Sequence, residues 1–100
     1  MTRRFVIGVS ELTRAEGQAL RAYLSENGTW WHWIPNFWLF VANDDSMTPD
    51  QIRDYIRDTN PRAKCVVVNA DGGGGWAGRG SPNASGKPMF QWVRNFWSGQ

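Results

Sequence analysis

The stretch from Thr29 to Ala42, TWWHWIPNFWLFVA, decides the fold of this chain. It holds four of the seven tryptophans, and aromatic side chains dominate the energetics of cores and interfaces. Pro35 interrupts the stretch, because proline fixes φ and cannot donate a hydrogen bond to a strand ladder. We predict two strands, Thr29–Ile34 and Phe37–Ala42, folded into a hairpin. Since Pro35 cannot take the positive φ of the favoured two-residue turns, we expect a longer turn with a bulge.

Both faces of this hairpin are apolar, so we expect both to be covered. If Ile34 pairs with Phe37, then Phe37, Leu39 and Val41 share a face that resembles ordinary core. We expect that face to lie against helices. The opposite face is rich in tryptophan, and we predict that it forms a dimer or partner interface, unless a C-terminal helix covers it within one chain. Its residues are Trp31, Trp33, Trp38 and Phe40.

Capping signals and apolar spacing locate the other elements. Thr13 and Glu16 have the spacing of a capping box, and Thr48 followed by Pro49 is a typical helix start. Pro61 disfavours helical geometry in the residue before it, so the second helix should end near Asn60. These signals predict helices at about Arg14–Glu26 and from Pro49 to near Asn60, and further strands at Arg4–Val9 and Lys64–Asn69.

The resulting order is strand, helix, strand, strand, helix, strand, which is the ferredoxin-like βαββαβ arrangement of the α+β class. Two helices should cover one face of a four-stranded antiparallel sheet. We predict a single domain over residues 1–100, with its core at about 4–70. A glycine-rich loop at 70–88 is expected to be mobile, and an extra C-terminal helix is predicted at 89–98.

Composition limits the functional classes. The net charge of +2 is small, and the basic residues are scattered, whereas a dedicated nucleic-acid binder more often shows a concentrated basic patch. The single cysteine, Cys65, cannot form an internal disulfide, which is typical of a reducing cytoplasm, and we expect it in the core. We predict a cytoplasmic protein with no signal peptide, membrane span or small-molecule cofactor.

Two possible metal or catalytic sites have simpler structural explanations. His32 is the only histidine and lies inside a strand with no visible partner for acid–base chemistry, so a structural role is favoured. Asp44, Asp45 and Asp71 could together hold magnesium, but aspartates at strand ends are equally typical of turns. We favour turns and predict no metal site.

The glycine-rich loop carries the candidate partner-binding residues. Gly80 to Lys87 has one residue too many for a phosphate loop, and Pro88 replaces the expected Ser or Thr, so a flexible linker is favoured. Trp76, Arg79 and Lys87 can stack bases and hold phosphates, or they can form a protein hot spot. Alternatively, Trp76 folds back to pin the loop. We predict that these three residues bind a partner.

The hairpin ENGTWWHWIPNFWLF, followed by MTPDQIRDYI, KCVVVN and GWAG, resembles SinR-type small proteins. More remotely it resembles the ferredoxin-like small subunit of the CRISPR adaptation complex and the VapD-type toxin endoribonucleases. The resemblance covers about residues 4–78 and implies a homodimer with a link to nucleic acid or genome defence.

Members of these groups that are nucleases carry an Asp at the end of the first strand, and the paired Asp residues of a dimer hold a divalent metal. Ser10 stands at or beside that position here, and Glu11 follows it. This departure argues against catalysis by the same route. We therefore predict a non-enzymatic dimeric protein that binds a protein or nucleic acid. A metal-dependent endoribonuclease using Ser10 and Glu11 is the alternative, and a phage-type inhibitor of a host defence complex belongs to the same interaction class.

Overall fold

A computed structural model describes residues 3–71, 77–80 and 89–97 of the 100-residue chain. Four strands, two α-helices and a short C-terminal π-helical segment follow one another along the chain. Their bounds are β1 Arg3–Val9, α1 Arg14–Asn27, β2 Gly28–Ile34, β3 Phe37–Ala42, α2 Pro49–Thr59, β4 Cys65–Asn69 and the π-helical segment Val93–Trp97.

The structure confirms an α+β protein with a four-stranded antiparallel sheet. The strands lie in the order β2-β3-β1-β4, so β2 and β4 are the edges. The predicted capping box is present at Thr13 with Glu16, and the predicted helix start at Thr48 carries a second capping box, with Gln51. Each box satisfies backbone donors that a helix start leaves unpaired, and this explains why the helix starts were readable from sequence.

Helices α1 and α2 cover one face of the sheet, and the main core lies beneath them. Tyr23 of α1 and Tyr55 of α2 stack with ring centroids 3.9 Å apart and join the two helices. The largest fully buried side chains of the described residues lie in or beside this layer, including Phe5, Ile7, Leu20, Leu24, Trp38, Phe40, Ile52 and Ile56.

The expected orientation of β3 is wrong. Phe5 pairs with Phe40, and Ile7 pairs with Trp38, so these β3 side chains share the helix-covered face with β1. Trp38 is 2% exposed and Phe40 is 0% exposed, which leaves neither available to a partner. Phe37, Leu39 and Val41, which we expected in the main core, therefore lie on the opposite face. Trp31 pairs with Leu39 and lies on that opposite face, as expected.

The predicted bulge is present in β2, but the expected longer turn is wrong, because the hairpin turns through the two residues Pro35-Asn36. Ile34 pairs with Phe37, and the β2–β3 register shifts between Trp31 and Ile34. Asn36 has φ = 67°, the left-handed conformation that asparagine tolerates better than most residues. Proline followed by a residue with positive φ is the pattern of a type II turn, and it accommodates Pro35 without positive φ at that residue.

The second face of the sheet is covered within the same chain by residues 89–97, which we call the C-terminal segment. The Trp31 indole Nε1 donates to the Met89 carbonyl oxygen at 2.7 Å, and its ring stacks on Phe90 at 5.7 Å. Val93 is buried, and Arg4 Nε donates to the Trp97 carbonyl oxygen at 2.7 Å. The second face is therefore covered by the C-terminal segment of the same chain, which is the alternative expected from the sequence. The helix is shorter than predicted among the described residues, and its last turn is π-helical.

Most of the expected mobile loop at 70–88 lies outside the described residues, including Trp76 and Lys87. Residues 77–80 are described, and they are exposed and pack beside the C-terminal segment. A Cβ at Gly78 would approach the Phe90 ring to 2.6 Å, so glycine permits this close contact. Within the described ranges no helix has the length and apolar character needed to cross a bilayer.

The same substitution at two glycines should have opposite effects. Gly17→Ala should stabilise the protein by about 0.5–1 kcal/mol, because a Cβ there meets nothing within 4 Å inside a helix. Gly28→Ala should destabilise it by about 1–3 kcal/mol, because the Cβ would collide with the Val41 backbone carbonyl in β3. Chemical denaturation of both variants measures the difference. Equal effects would contradict the packing described at Gly28.

Candidate functional site

A cleft lined mainly by aromatic side chains lies beside the edge strand β2. It has a volume of about 410 Å³ and lies between β2 and the C-terminal segment. We call it the aromatic cleft. Its lining residues are Trp30, Trp31, His32, Trp33, Met89, Gln91, Trp92, Asn95 and Phe96. Aromatic side chains from both faces of β2 reach it, because the cleft lies at the sheet edge beside the bulge.

Neighbouring contacts hold the β2 side of the cleft. The Trp30 indole Nε1 donates to Ser25 Oγ at 2.9 Å, and the Trp30 ring lies 5.4 Å from Trp38. His32 stacks on Trp38 with a centroid distance of 3.7 Å and an interplanar angle of 4°, and its Nδ1 lies 2.9 Å from the Phe37 carbonyl oxygen. These contacts fix the imidazole, which agrees with the predicted structural role. Trp33 is half-buried.

On the C-terminal side of the cleft, one buried polar group lacks a hydrogen bond among the described residues. Trp92 packs against Phe96 with centroids 5.8 Å apart, and Phe96 is exposed. The Trp92 indole Nε1 is buried and has no hydrogen-bond partner among the described residues. Leaving a buried donor unpaired costs about 1–3 kcal/mol, so this indole is a weak point in the cover of the second face.

A second cavity, of about 300 Å³, lies at the start of α1, and we call it the arginine cavity. Arg14 and Arg21 of α1 line it together with His32, so the arginine cavity and the aromatic cleft meet at this histidine. The remaining lining residues are Val9, Glu11, Leu12, Thr13, Gly17, Pro35, Asn36 and Trp38.

Arg79, the described member of the predicted loop site, lies elsewhere. It lines an apolar cleft of about 460 Å³ between the second face of the sheet and the C-terminal segment. Val6, Leu39 and Phe90 are among its neighbours there. The structure thus places Arg79 in a different pocket from His32 and Trp33. Trp76 and Lys87 lie outside the residues whose placement is described, and their roles stay predictions.

Ser10 and Glu11, the residues of the endoribonuclease alternative, have different surroundings. The Ser10 hydroxyl accepts a hydrogen bond from the Lys64 backbone N–H at 2.8 Å, and the Ser10 N–H donates to the Lys64 carbonyl at 2.7 Å. Ser10 therefore joins the end of β1 to the start of β4. Glu11 is exposed at the arginine cavity.

Asp44 and Asp71, two of the three aspartates that could hold magnesium, bind protein groups instead. Asp71 binds Arg3 Nε at 2.9 Å and the Arg4 backbone N–H at 2.7 Å. Desolvation favours a higher pKa for Asp71, but these hydrogen bonds outweigh it and hold the pKa below its ordinary value. Asp44 accepts two hydrogen bonds from Ser46 in a turn. In the parts of the chain that are described, no group of three or more His, Cys, Asp or Glu could hold a metal.

Cys65 begins the edge strand β4 and is half-buried against the helix-covered core. Desolvation by burial raises the pKa of its thiol, although the nearby Arg53 acts in the opposite direction. A raised pKa lowers the thiolate fraction and therefore the reactivity. This placement agrees with the structural role expected for Cys65.

Comparison of the chain with protein-family models, curated proteins and solved structures gave no match. Sequence reasoning identified the tryptophans of β2, but it missed Trp92, Arg14 and Arg21. The spacing of seven residues between the two arginines, with Gly17 between them, was the available signal for the arginine cavity.

Two tryptophan substitutions should affect stability differently. The indole N–H of Trp31 is hydrogen-bonded, whereas that of Trp92 has no partner among the described residues. Trp92→Phe removes the unpartnered donor, so its cost should be small, within about 1 kcal/mol. Trp31→Phe removes the hydrogen bond to Met89 and leaves a carbonyl unpaired, so it should cost about 1–3 kcal/mol. Urea denaturation measures both values. A larger loss for Trp92→Phe than for Trp31→Phe would contradict this assignment.

Proposed function

We propose that this protein is a non-enzymatic binding protein that takes single-stranded nucleic acid in the aromatic cleft. The proposed scaffold is ferredoxin-like. This assignment is supported by the element order β1-α1-β2-β3-α2-β4 and by the antiparallel strand order β2-β3-β1-β4. A role in genome defence or in its inhibition, and action in the cytoplasm, belong to the same proposal and rest on the sequence alone.

The observation that carries the proposal is the meeting of aromatic and cationic surfaces at His32. Trp33 and Phe96 offer accessible ring area in a cleft, and bases stack on such rings in a sequence-tolerant way. Arg14 and Arg21 lie in the adjoining cavity, where cations can contact the phosphates between stacked bases. Stacking surface and phosphate-binding charge are the two components that single-strand binding requires.

The C-terminal segment adds a further cation. Arg94 is exposed and makes no side-chain ion pair with any described residue, and it lies between Trp92 and Asn95 of the cleft in sequence. A protein partner could use the same tryptophans and arginines, since both residue types are enriched at protein interfaces. The salt dependence of binding distinguishes the two, because phosphate contacts release counterions. No described observation favours the endoribonuclease, since the Ser10 hydroxyl is engaged with Lys64.

We also propose a homodimer, for a reason that differs from the one expected at first. The C-terminal segment covers much of the second face, but Val66 and Val68 of β4 remain 61% and 51% exposed. They lie on an edge strand whose outer backbone groups have no strand partner in the described sheet. A second copy pairing through β4 would shield these valines and satisfy that edge.

Binding of a labelled oligonucleotide of about 12 nucleotides tests the nucleic-acid proposal by fluorescence anisotropy. We expect Trp33→Ala to weaken binding by about 1–3 kcal/mol, the usual contribution of one stacked base. The affinity should fall as salt concentration rises, because phosphate contacts release counterions. The oligonucleotide should remain intact after incubation with magnesium or manganese.

Ile34→Ala is the matched control for this experiment. Ile34 is an exposed apolar residue next to Trp33, and it lines the apolar cleft rather than the aromatic cleft. Its truncation should leave oligonucleotide affinity unchanged. Binding that is indifferent to Trp33→Ala, or that is absent in the wild-type protein, would refute the proposal. Cleavage lost on Glu11→Gln would instead support the endoribonuclease.

The dimer should depend on the valines of β4. Light scattering should report twice 11.4 kDa for the wild-type protein and 11.4 kDa after Val66→Lys with Val68→Lys. Two lysines at a strand edge disfavour pairing with another strand, and they should not disturb the core because both positions are exposed. Val67→Lys is not an equivalent variant, since Val67 packs against the core. A monomeric wild-type protein would contradict the proposal.

A further inference from the structure

The arginine cavity has the form of a ligand site. Its volume of about 300 Å³ is at the lower end of the usual range for small-ligand pockets. Residues of β1, α1, β2 and β3 line it, together with the β1–α1 loop and the β2–β3 turn, and it opens to solvent. A cavity of this size suits a compact polar group better than a large apolar ligand.

Its charged side chains are free to bind a ligand. Arg14 and Arg21 are exposed and make no ion pair or side-chain hydrogen bond with any residue in the described part of the chain. Glu11 is the single acidic residue in the lining. His32 donates Nδ1–H to the Phe37 carbonyl oxygen, so Nε2 of the neutral ring carries a lone pair, and the ring borders the cavity without donating to an anion.

The spacing on α1 keeps the space between the arginines open. Arg14 and Arg21 are seven residues apart, so they lie on the same side of the helix about 10 Å apart along its axis. Gly17 lines the cavity between them, and even an added Cβ there would meet nothing within 4 Å. Two long side chains can therefore converge over a floor of helix backbone.

Arg14 also stands where a cation does not help the helix. It is the first residue of α1, and the positive end of the helix dipole disfavours a cation there. The same dipole attracts an anion to this end of the helix. Glu16 in the first turn of α1 already complements this dipole, so Arg14 rather than the dipole supplies the charge for a bound anion.

From these observations we infer that the arginine cavity binds a phosphate group, with Arg14 and Arg21 as its charge partners and the His32 ring at its border. Guanidinium groups suit phosphate because they donate paired, charge-assisted hydrogen bonds to its oxygens. The inference deepens the proposed function and rests on it for the source of the phosphate, a nucleotide next to the base held in the aromatic cleft. A free phosphate-bearing small molecule has the same chemistry and is separated from it by the experiment.

The test uses inorganic phosphate as the probe and His32 as the reporter. His32 is the only histidine, so its Hε1 resonance is assigned without ambiguity. Titration at fixed pH and ionic strength should shift this resonance saturably. Arg14→Gln and Arg21→Gln should each weaken binding about tenfold or more, because each removes a charge-assisted contact. Glu11→Gln should tighten binding, because it removes a repelling carboxylate.

Arg62→Gln is the matched control. Arg62 is exposed, lines none of the three cavities and loses the same charge on substitution. Phosphate affinity should be unchanged in this variant. Equal weakening in the Arg62 and Arg14 variants would mean diffuse attraction and would overturn the inference, as would an Hε1 resonance that does not respond to phosphate. If an arginine variant fails to fold, tightening by Glu11→Gln still decides the outcome.

Oligonucleotide binding separates this inference from the proposed function. If both hold, Arg21→Gln weakens oligonucleotide binding and makes its salt dependence shallower. If the wild-type protein binds phosphate but no oligonucleotide, the arginine cavity is a phosphate site for a small-molecule ligand, and the proposed function fails. If oligonucleotide binding persists unchanged in the Arg14 and Arg21 variants and inorganic phosphate does not bind, the cavity assignment fails, and the aromatic cleft stands.

Discussion

The central strand β3 is apolar on both faces, and the rest of the structure follows from that constraint. A strand in the middle of an antiparallel sheet can face water on one side only if that side is polar. Trp38 and Phe40 on one face require the two helices, and Leu39 and Val41 on the other require a second cover. The C-terminal segment supplies it, although its buried Trp92 donor has no partner in the described part of the chain.

Local signals in the sequence predicted most of the elements, because their causes are local. The capping boxes at Thr13 and Thr48 and the turn at Pro35-Asn36 depend on residues within a few positions of each other. The orientation of β3 depends on pairing with β1, more than thirty residues away, in the register that joins Phe5 to Phe40. Both faces of β3 are apolar, so the strand alone did not show which face packs against the helices.

The candidate site was harder to predict than the fold, for a related reason. The aromatic cleft exists because a bulge brings side chains of both β2 faces to the sheet edge and because the C-terminal segment returns to that edge. The bulge was expected from the sequence, but which side chains of β2 it affects could not be predicted. Partner binding was assigned to the glycine-rich loop instead. The arginine cavity joins residues of α1 to His32 across the fold, and such a meeting is set by tertiary packing.

The two edges of the sheet differ, and the difference limits how copies of the chain can assemble. The bulge in β2 breaks the regular ladder at one edge, whereas β4 keeps a continuous register with β1 over five residue pairs and presents a regular outer edge. A sheet with two regular edges can add copies without end, as fibrils do. A sheet with one regular edge can pair with only one other copy. After this two-fold pairing, neither copy has a regular edge left to pair with a third. In the proposed homodimer, the irregular β2 edge would therefore leave this tryptophan-rich chain without a second regular edge for further pairing.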